Sequence, residues 1–70
     1  MNFPEYVTKA LKVHHANPEL RVGQSYFNTL YDIKPNMANT IRGTNLDPFY
    51  QNRIIPAFLD WVEENWETFS

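Results

Sequence analysis

Prolines divide this chain into short segments, and no other feature limits its fold as strongly. The five prolines are Pro4, Pro18, Pro35, Pro48 and Pro56. A proline suits the first turn of a helix but interrupts a helix interior or a central strand. Between the prolines, apolar residues recur at spacings of three and four, which is a helical period. The sequence therefore predicts an all-α protein, a compact bundle of three to four short helices forming a single helical domain over residues 1–70.

The first two segments each predict one helix. Asn2 is a candidate N-cap ahead of Pro4. The first helix is expected to end at Asn17, because the residue before a proline avoids the α region. The second helix is predicted over Leu20–Ile33. Gly23 within it either allows close approach of another helix or marks a later helix start.

A short third helix and a connector are predicted next. Pro35 opens this helix, and Gly43 is placed to end it in the left-handed conformation. Asp47 followed by Pro48 predicts an N-cap and a short helical turn. Arg42 is expected to pair with Asp47 across the glycine turn and so to fix the connector.

An aromatic-rich helix at the C-terminus is predicted to hold the core together. It is expected to begin near Arg53, with Asn52 as its cap and Pro56 in its first turn, and to run to Trp66. Its inward stripe consists of Ile55, Phe58, Leu59, Val62 and Trp66. Large rings matter here because the chain has no cysteine, so aromatic packing has to stabilise a small core that no disulfide supports.

Composition and charge exclude several functional classes. The absence of cysteine fits a reducing compartment, which agrees with a cytoplasmic protein. The formal net charge of −2 argues against a polyanionic partner, since affinity for nucleic acid comes mainly from Lys and Arg meeting phosphates. No long uncharged apolar run is present, so we expect no membrane-spanning helix. The start of the sequence has no signal-peptide pattern.

Candidate catalytic and metal-binding residues have simpler explanations. His14 and His15 are adjacent, so they point about 100° apart on a helix, whereas a two-histidine metal site uses a spacing of four. The acidic residues on one face of the last helix are expected to be solvated or to contact a basic partner; they are Asp60, Glu63, Glu64 and Glu67. No nucleophile motif is present, and a small helical domain leaves little room for a substrate pocket. We therefore expect no enzyme activity, no catalytic residue, no metal and no cofactor.

Residues 34–42 permit a nucleic-acid-binding alternative. Their helix, turn and short helix superficially resemble repressor-type helix-turn-helix domains. In that interpretation the base-facing residues are Asn36, Asn39 and Thr40, and the phosphate-facing residues are Lys34 and Arg42. Asp32 stands where that family usually has a glycine, and the whole domain is acidic. A short structural helix is therefore the favoured interpretation, and nucleic acid is not the expected partner.

Three stretches of sequence carry a resemblance to a known group of proteins. They are LRVGQSYFNTLY at 20–31, IRGTNLDPFY at 41–50 and IPAFLDWV at 55–62. Together they extend over most of residues 20–66 and look like small bacteriophage and prophage proteins, which are generally labelled hypothetical. The resemblance implies a small accessory protein of the bacterial cytoplasm. Proteins of that kind often act by binding a host or phage protein, and no activity or cofactor follows from the resemblance.

The favoured function is a non-enzymatic module for protein–protein interaction, with a host or phage protein or a second copy as its partner. Arg, Tyr and Trp dominate interface hot spots. The predicted contact residues are therefore Arg42, Tyr50, Arg53 and Trp61. This hypothesis also predicts that surplus aromatic side chains gather in one exposed patch. The rings concerned are Tyr6, Tyr31, Tyr50, Trp61 and Phe69.

Overall fold

The computed structural model describes residues 1–69, and within that range it contains four α-helices and no strand. The helices are α1 (Phe3–Ala16), α2 (Val22–Ile33), α3 (Pro35–Ile41) and α4 (Ile55–Asn65), with a 3-10 turn at Asn52–Ile54 before α4. The Cα radius of gyration is 10.9 Å. A folded chain of this length is expected to give about 11 Å. The predicted all-α bundle of short helices is confirmed.

The caps of α1 follow directly from its sequence. The Glu5 backbone N–H donates to Asn2 Oδ1 at 2.8 Å, and the Asn2 N–H donates to Glu5 Oε1 at 2.9 Å. This reciprocal pair satisfies two of the donors that a helix start leaves free. At the other end, Asn17 Nδ2 donates to the Val13 carbonyl at 3.0 Å. The predicted start at Asn2 and end at Asn17 are both confirmed.

Gly23 lies where the connector, residues 42–51 between α3 and the 3-10 turn, crosses α2. A Cβ at this position would stand 2.0 Å from the Pro48 carbonyl oxygen, so only glycine allows this approach. The Gly23 N–H donates to Asn52 Oδ1 at 3.2 Å. The helix itself begins at Val22, two residues after the predicted Leu20. The later helix start, one of the two explanations offered for Gly23, is therefore confirmed. The other explanation is only half right, because the backbone that approaches Gly23 closely is the connector and not a helix.

The predicted start of the last helix needs a correction. A 3-10 turn occupies Asn52–Ile54, and α4 begins at Ile55, two residues later than predicted. Asn52 does not cap this helix, because its side-chain oxygen accepts from Gly23 on α2. Pro56 lies in the first turn of α4, as predicted, where its missing N–H costs nothing.

The connector also differs from its prediction. Asp47 Oδ2 accepts from the Gly43 N–H at 2.7 Å, and Asp47 Oδ1 accepts from the Phe49 N–H at 2.9 Å. The predicted pairing of Arg42 with Asp47 is wrong, because the carboxylate binds backbone groups of its own turn. The predicted short turn after Pro48 is present, since the Gln51 N–H donates to the Pro48 carbonyl at 3.2 Å, but it does not form a helix. Gly43 has a φ of 75°, which confirms its predicted left-handed conformation.

Trp66, just beyond α4, is the meeting point of the core. Its ring packs edge-on against Phe3 at 5.9 Å between centroids and lies 5.4 Å from the Tyr6 ring. Its indole N–H donates to the Met1 carbonyl at 3.1 Å. Lys34 Nζ lies 4.8 Å from the centre of the Trp66 ring and donates to the Trp66 carbonyl at 2.9 Å. The buried hydrophobic side chains are Tyr6, Ala10, Tyr26, Phe27, Leu30, Met37, Ala38, Ile41, Phe58, Val62 and Trp66.

The Gly23→Ala variant tests the close approach of the connector to α2. Alanine is the better helix former by about 1 kcal/mol, yet we expect this variant to be less stable by about 1–3 kcal/mol because its methyl group collides with backbone. Urea denaturation followed by circular dichroism measures the difference. Asn39→Ala, at an exposed position of α3, is the matched control and should not lose stability. A Gly23→Ala variant as stable as the parent would contradict the packing described here.

Tyr6 predicts a loss of stability in alkali. Burial, and secondarily the neighbouring Tyr26, raises the pKa of the Tyr6 hydroxyl far above 10.0. In the unfolded chain this hydroxyl ionises near its ordinary pKa. Its contribution to the stability of the folded protein is therefore complete below about pH 10 and is lost as the pH rises further. Above that pH, the free energy of unfolding should fall by about 1.4 kcal/mol per pH unit for each hydroxyl that ionises only in the unfolded chain.

Tyr6→Phe is the control for the alkaline effect. The Tyr6 hydroxyl donates to the Tyr26 carbonyl at 2.7 Å, so the variant should be less stable at pH 7 by about 1 kcal/mol. Its free energy of unfolding should then fall less steeply above pH 10 than that of the parent. Burial also raises the pKa of Tyr26, so the free energy of unfolding still falls with pH to some extent in both proteins. Urea denaturation at pH 9 to 11 measures this dependence. If the free energies of unfolding of the parent and of Tyr6→Phe fall equally with pH, Tyr6 does not cause the loss of stability in alkali.

Candidate functional site

The predicted set of surplus aromatic rings divides between the core and the surface. Tyr6 is fully buried and belongs to the core. Trp61 and Phe69 are half-buried and contact each other, with 5.9 Å between their centroids. Tyr31 and Tyr50 are exposed, at 41% and 73% of their surface. Of the five rings, Tyr50 is therefore mostly accessible to a partner and Tyr31 is accessible over less than half of its surface.

Arg42 links these exposed tyrosines through a row of side chains. Its guanidinium carbon lies 5.0 Å from the Tyr31 ring centre and 5.6 Å from that of Phe27. The Phe27 ring meets Phe49 edge-on at 5.9 Å, and Phe49 meets Tyr50 edge-on at 4.8 Å. We call these five residues, Phe27, Tyr31, Arg42, Phe49 and Tyr50, the aromatic–arginine surface. It joins α2, the end of α3 and the connector.

A shallow pocket of about 270 Å³ lies within this surface. Its lining consists of Phe27, Asn28, Arg42, Asp47, Phe49 and Tyr50. Phe27 is buried, whereas Asn28 and Arg42 are exposed. Apolar walls and a few polar groups around one concavity are the usual composition of a binding site.

Contacts to the connector backbone fix the side of the pocket that the connector forms. Pro48 is buried where it meets Gly23, and Asp47 accepts the N–H of Phe49. Arg21, at the start of α2, donates from Nη1 to the Tyr50 carbonyl at 3.2 Å. The backbone of Tyr50 is thereby fixed while its ring stays exposed. The surface is consequently formed before any partner arrives.

Two of the four predicted contact residues meet in this pocket. Arg42 and Tyr50 both line it. Arg53 is exposed in the 3-10 turn and Trp61 is half-buried in α4, and neither belongs to the lining. Sequence reasoning missed Phe27 and Asn28, which line the pocket, and Arg21, which binds at its edge. Phe27 and Tyr31 stand four residues apart, and that spacing was the one signal that they share a helix face.

The five residues of the helix-turn-helix alternative have different surroundings. Asn36, Asn39 and Thr40 are exposed on α3, and Thr40 Oγ1 donates to the Asn36 carbonyl at 2.8 Å. Lys34 is engaged internally, since its ammonium donates to the carbonyls of Trp66 and Phe69 and lies over the Trp66 ring. Arg42 lies against the Phe27 and Tyr31 rings. The structure gives Lys34 a role in stability and not the position of a phosphate ligand.

Other features of the described chain offer less chemistry. Over residues 1–69, no group of three or more His, Cys, Asp or Glu side chains converges to hold a metal ion. A second, more open pocket of about 520 Å³ lies along the start of α1. Asn2 and Glu5 in its lining are already joined in the α1 cap, and the other polar residues there are Thr8, Lys9 and Lys12. Within the same described range, no helix combines the length and apolar character needed to cross a membrane.

No family model, curated protein or solved structure matches this chain. The resemblance to small bacteriophage and prophage proteins therefore stays a prediction from the three stretches of sequence. The functional proposal for this chain is therefore argued from the geometry of the aromatic–arginine surface.

The two cations of the α3 region should respond differently to substitution. Lys34→Met keeps the aliphatic stem but removes the charge-assisted bonds to two carbonyls, so we expect it to lower the free energy of unfolding by about 2 kcal/mol. Arg42→Gln removes an exposed cation–π contact, which is worth about 0.5–1 kcal/mol. Urea denaturation of both variants at the same pH measures the contrast. A larger loss for Arg42→Gln than for Lys34→Met would contradict these assignments.

Proposed function

We propose that this protein is a small non-enzymatic accessory protein that binds another protein through the aromatic–arginine surface. The observation that carries the proposal is the exposed Tyr50 ring beside the ring-supported Arg42 guanidinium in one preformed pocket. Tyrosine and arginine are the residues most enriched among interface hot spots, where they combine large contact area with polar groups. The resemblance to phage proteins supports a setting in the bacterial cytoplasm and a host or phage protein as partner.

Exposure of Tyr50 supports this function on energetic grounds. A ring left 73% exposed contributes little to the fold beyond its edge-on contact with Phe49, while most other large rings of the described chain are buried or half-buried. Burying such a ring against a partner is worth about 1.5–3 kcal/mol. Because Arg21 and Asp47 already fix the connector, little backbone freedom is lost when a partner binds.

Interface size indicates how the surface would be used. A standard protein–protein interface buries about 800 Å² on each partner. The accessible surface of the described chain is 4405 Å², so such a contact would cover about a fifth of it. The aromatic–arginine surface is smaller than that. It therefore fits the centre of an interface, surrounded by polar side chains that exclude water.

Capture from bacterial lysate with matched variants tests the proposal. The tagged full chain and the Arg53→Gln variant should capture the same protein after nuclease treatment, as identified by mass spectrometry. Tyr50→Ala and Arg42→Gln should lose it, since loss of a hot spot weakens binding by about 30-fold or more. Arg53→Gln is the matched arginine control, because Arg53 is exposed but lies outside the pocket lining.

Four results would contradict the proposal. One is equal capture by Tyr50→Ala, Arg42→Gln and the parent. Another is capture that nuclease removes, together with salt-sensitive DNA binding in gel shifts, which would favour the helix-turn-helix alternative. The third is a dimer in light scattering that Tyr50→Ala does not weaken, because self-association would then use a different face. Loss of capture by Arg53→Gln alone would move the contact to the 3-10 turn.

A further inference from the structure

The charge around the pocket differs in sign from that of the whole chain. Arg42 lines the pocket, and Arg21 is bound to the Tyr50 carbonyl at its edge. Asp47 is the one carboxylate in the lining, and both of its oxygens accept backbone N–H groups. Two guanidinium groups thus adjoin one internally bonded carboxylate in a chain whose net charge is −2. Arg42 and Asp47 balance within the lining, and Arg21 at its edge adds one surplus positive charge, which complements an acidic partner.

Arg42 is arranged to bind an anion with its N–H groups. Its contacts with Phe27 and Tyr31 are cation–π contacts, which do not use up the five N–H donors of a guanidinium. The planar fork of these donors matches the two oxygens of a carboxylate. Asn28, exposed in the same lining, adds a side-chain amide donor.

Pocket size restricts what can enter. The volume of about 270 Å³ lies below the range of about 300–1,000 Å³ that is usual for small-molecule and cofactor sites. One or two amino-acid side chains fit a space of this size. The exposed ring of Tyr50 continues the apolar wall outside the pocket, where a neighbouring apolar residue of a bound segment would pack.

The geometry points to a specific occupant: an acidic segment of the partner protein whose Asp or Glu carboxylate enters the pocket. In this arrangement Arg42 and the Asn28 amide donate to the carboxylate, and an adjacent apolar or aromatic residue covers Phe49 and Tyr50. The inference rests on the proposed function, since it names the chemistry that the same surface recognises.

Two blocked tripeptides test this inference on the full chain. Acetyl-Phe-Glu-Phe-amide carries the carboxylate, and acetyl-Phe-Gln-Phe-amide is its neutral analogue. In ¹H–¹⁵N NMR titrations, the Glu peptide should shift the Arg42 Nε–Hε and Asn28 side-chain signals and bind about tenfold more tightly than the Gln peptide. Arg42→Gln should abolish the preference, and the exposed Arg53→Gln should keep it. Circular dichroism of each variant confirms folding.

Several outcomes would overturn the inference. Equal affinities for the two peptides, or no shift with either, would remove the carboxylate from the recognition chemistry. Loss of preference in Arg53→Gln as well would show a diffuse charge effect. Equal shifts with acetate or inorganic phosphate would show a general anion site. These failures are separable from failure of the proposed function, which is decided by whether lysate capture depends on Tyr50.

Discussion

The packing of Trp66 joins the two ends of the described chain, and the rest of the fold depends on it. Its ring meets Phe3 and Tyr6 of α1, and its indole N–H binds the Met1 carbonyl. Lys34, between α2 and α3, rests on the same ring and binds the Trp66 carbonyl. One residue therefore connects α1, α4 and the α2–α3 junction. In a chain with no cysteine, this cluster takes the role that a disulfide often has in small domains.

A second constraint, the contact between Gly23 and the Pro48 carbonyl, brings the connector to the candidate site. The connector can lie this close to α2 only because Gly23 has no side chain. That approach places Phe49 beside Phe27 and Tyr50 within reach of Arg21. The exposed surface is thus a consequence of backbone packing elsewhere, so that binding would cost little reordering. Stability and the proposed recognition are coupled through one glycine.

Charged side chains near α3 show how far sequence reasoning extends. From the sequence, Lys34 and Arg42 were equivalent as phosphate-facing cations. In the structure Lys34 binds two carbonyls near the C-terminus, whereas Arg42 lies exposed on aromatic rings. Likewise, Asp47 was expected to pair with Arg42 but binds the N–H groups of Gly43 and Phe49. Charge alone could not separate these roles, because each depends on which backbone groups the fold brings within reach.

The sequence by itself determined the helical class, the cap at Asn2, the end of α1 at Asn17, the left-handed Gly43 and the position of Pro56 in a first turn. These features depend on local backbone physics within one or two helical turns. Tertiary structure alone decided that Tyr6 is buried, that Tyr50 is exposed, and that Arg21, Phe27 and Asn28 adjoin the pocket. The deciding contacts join residues far apart along the chain, such as the Arg21 bond to Tyr50 across 29 positions. No local pattern encodes such a contact, because it forms only when the helices pack.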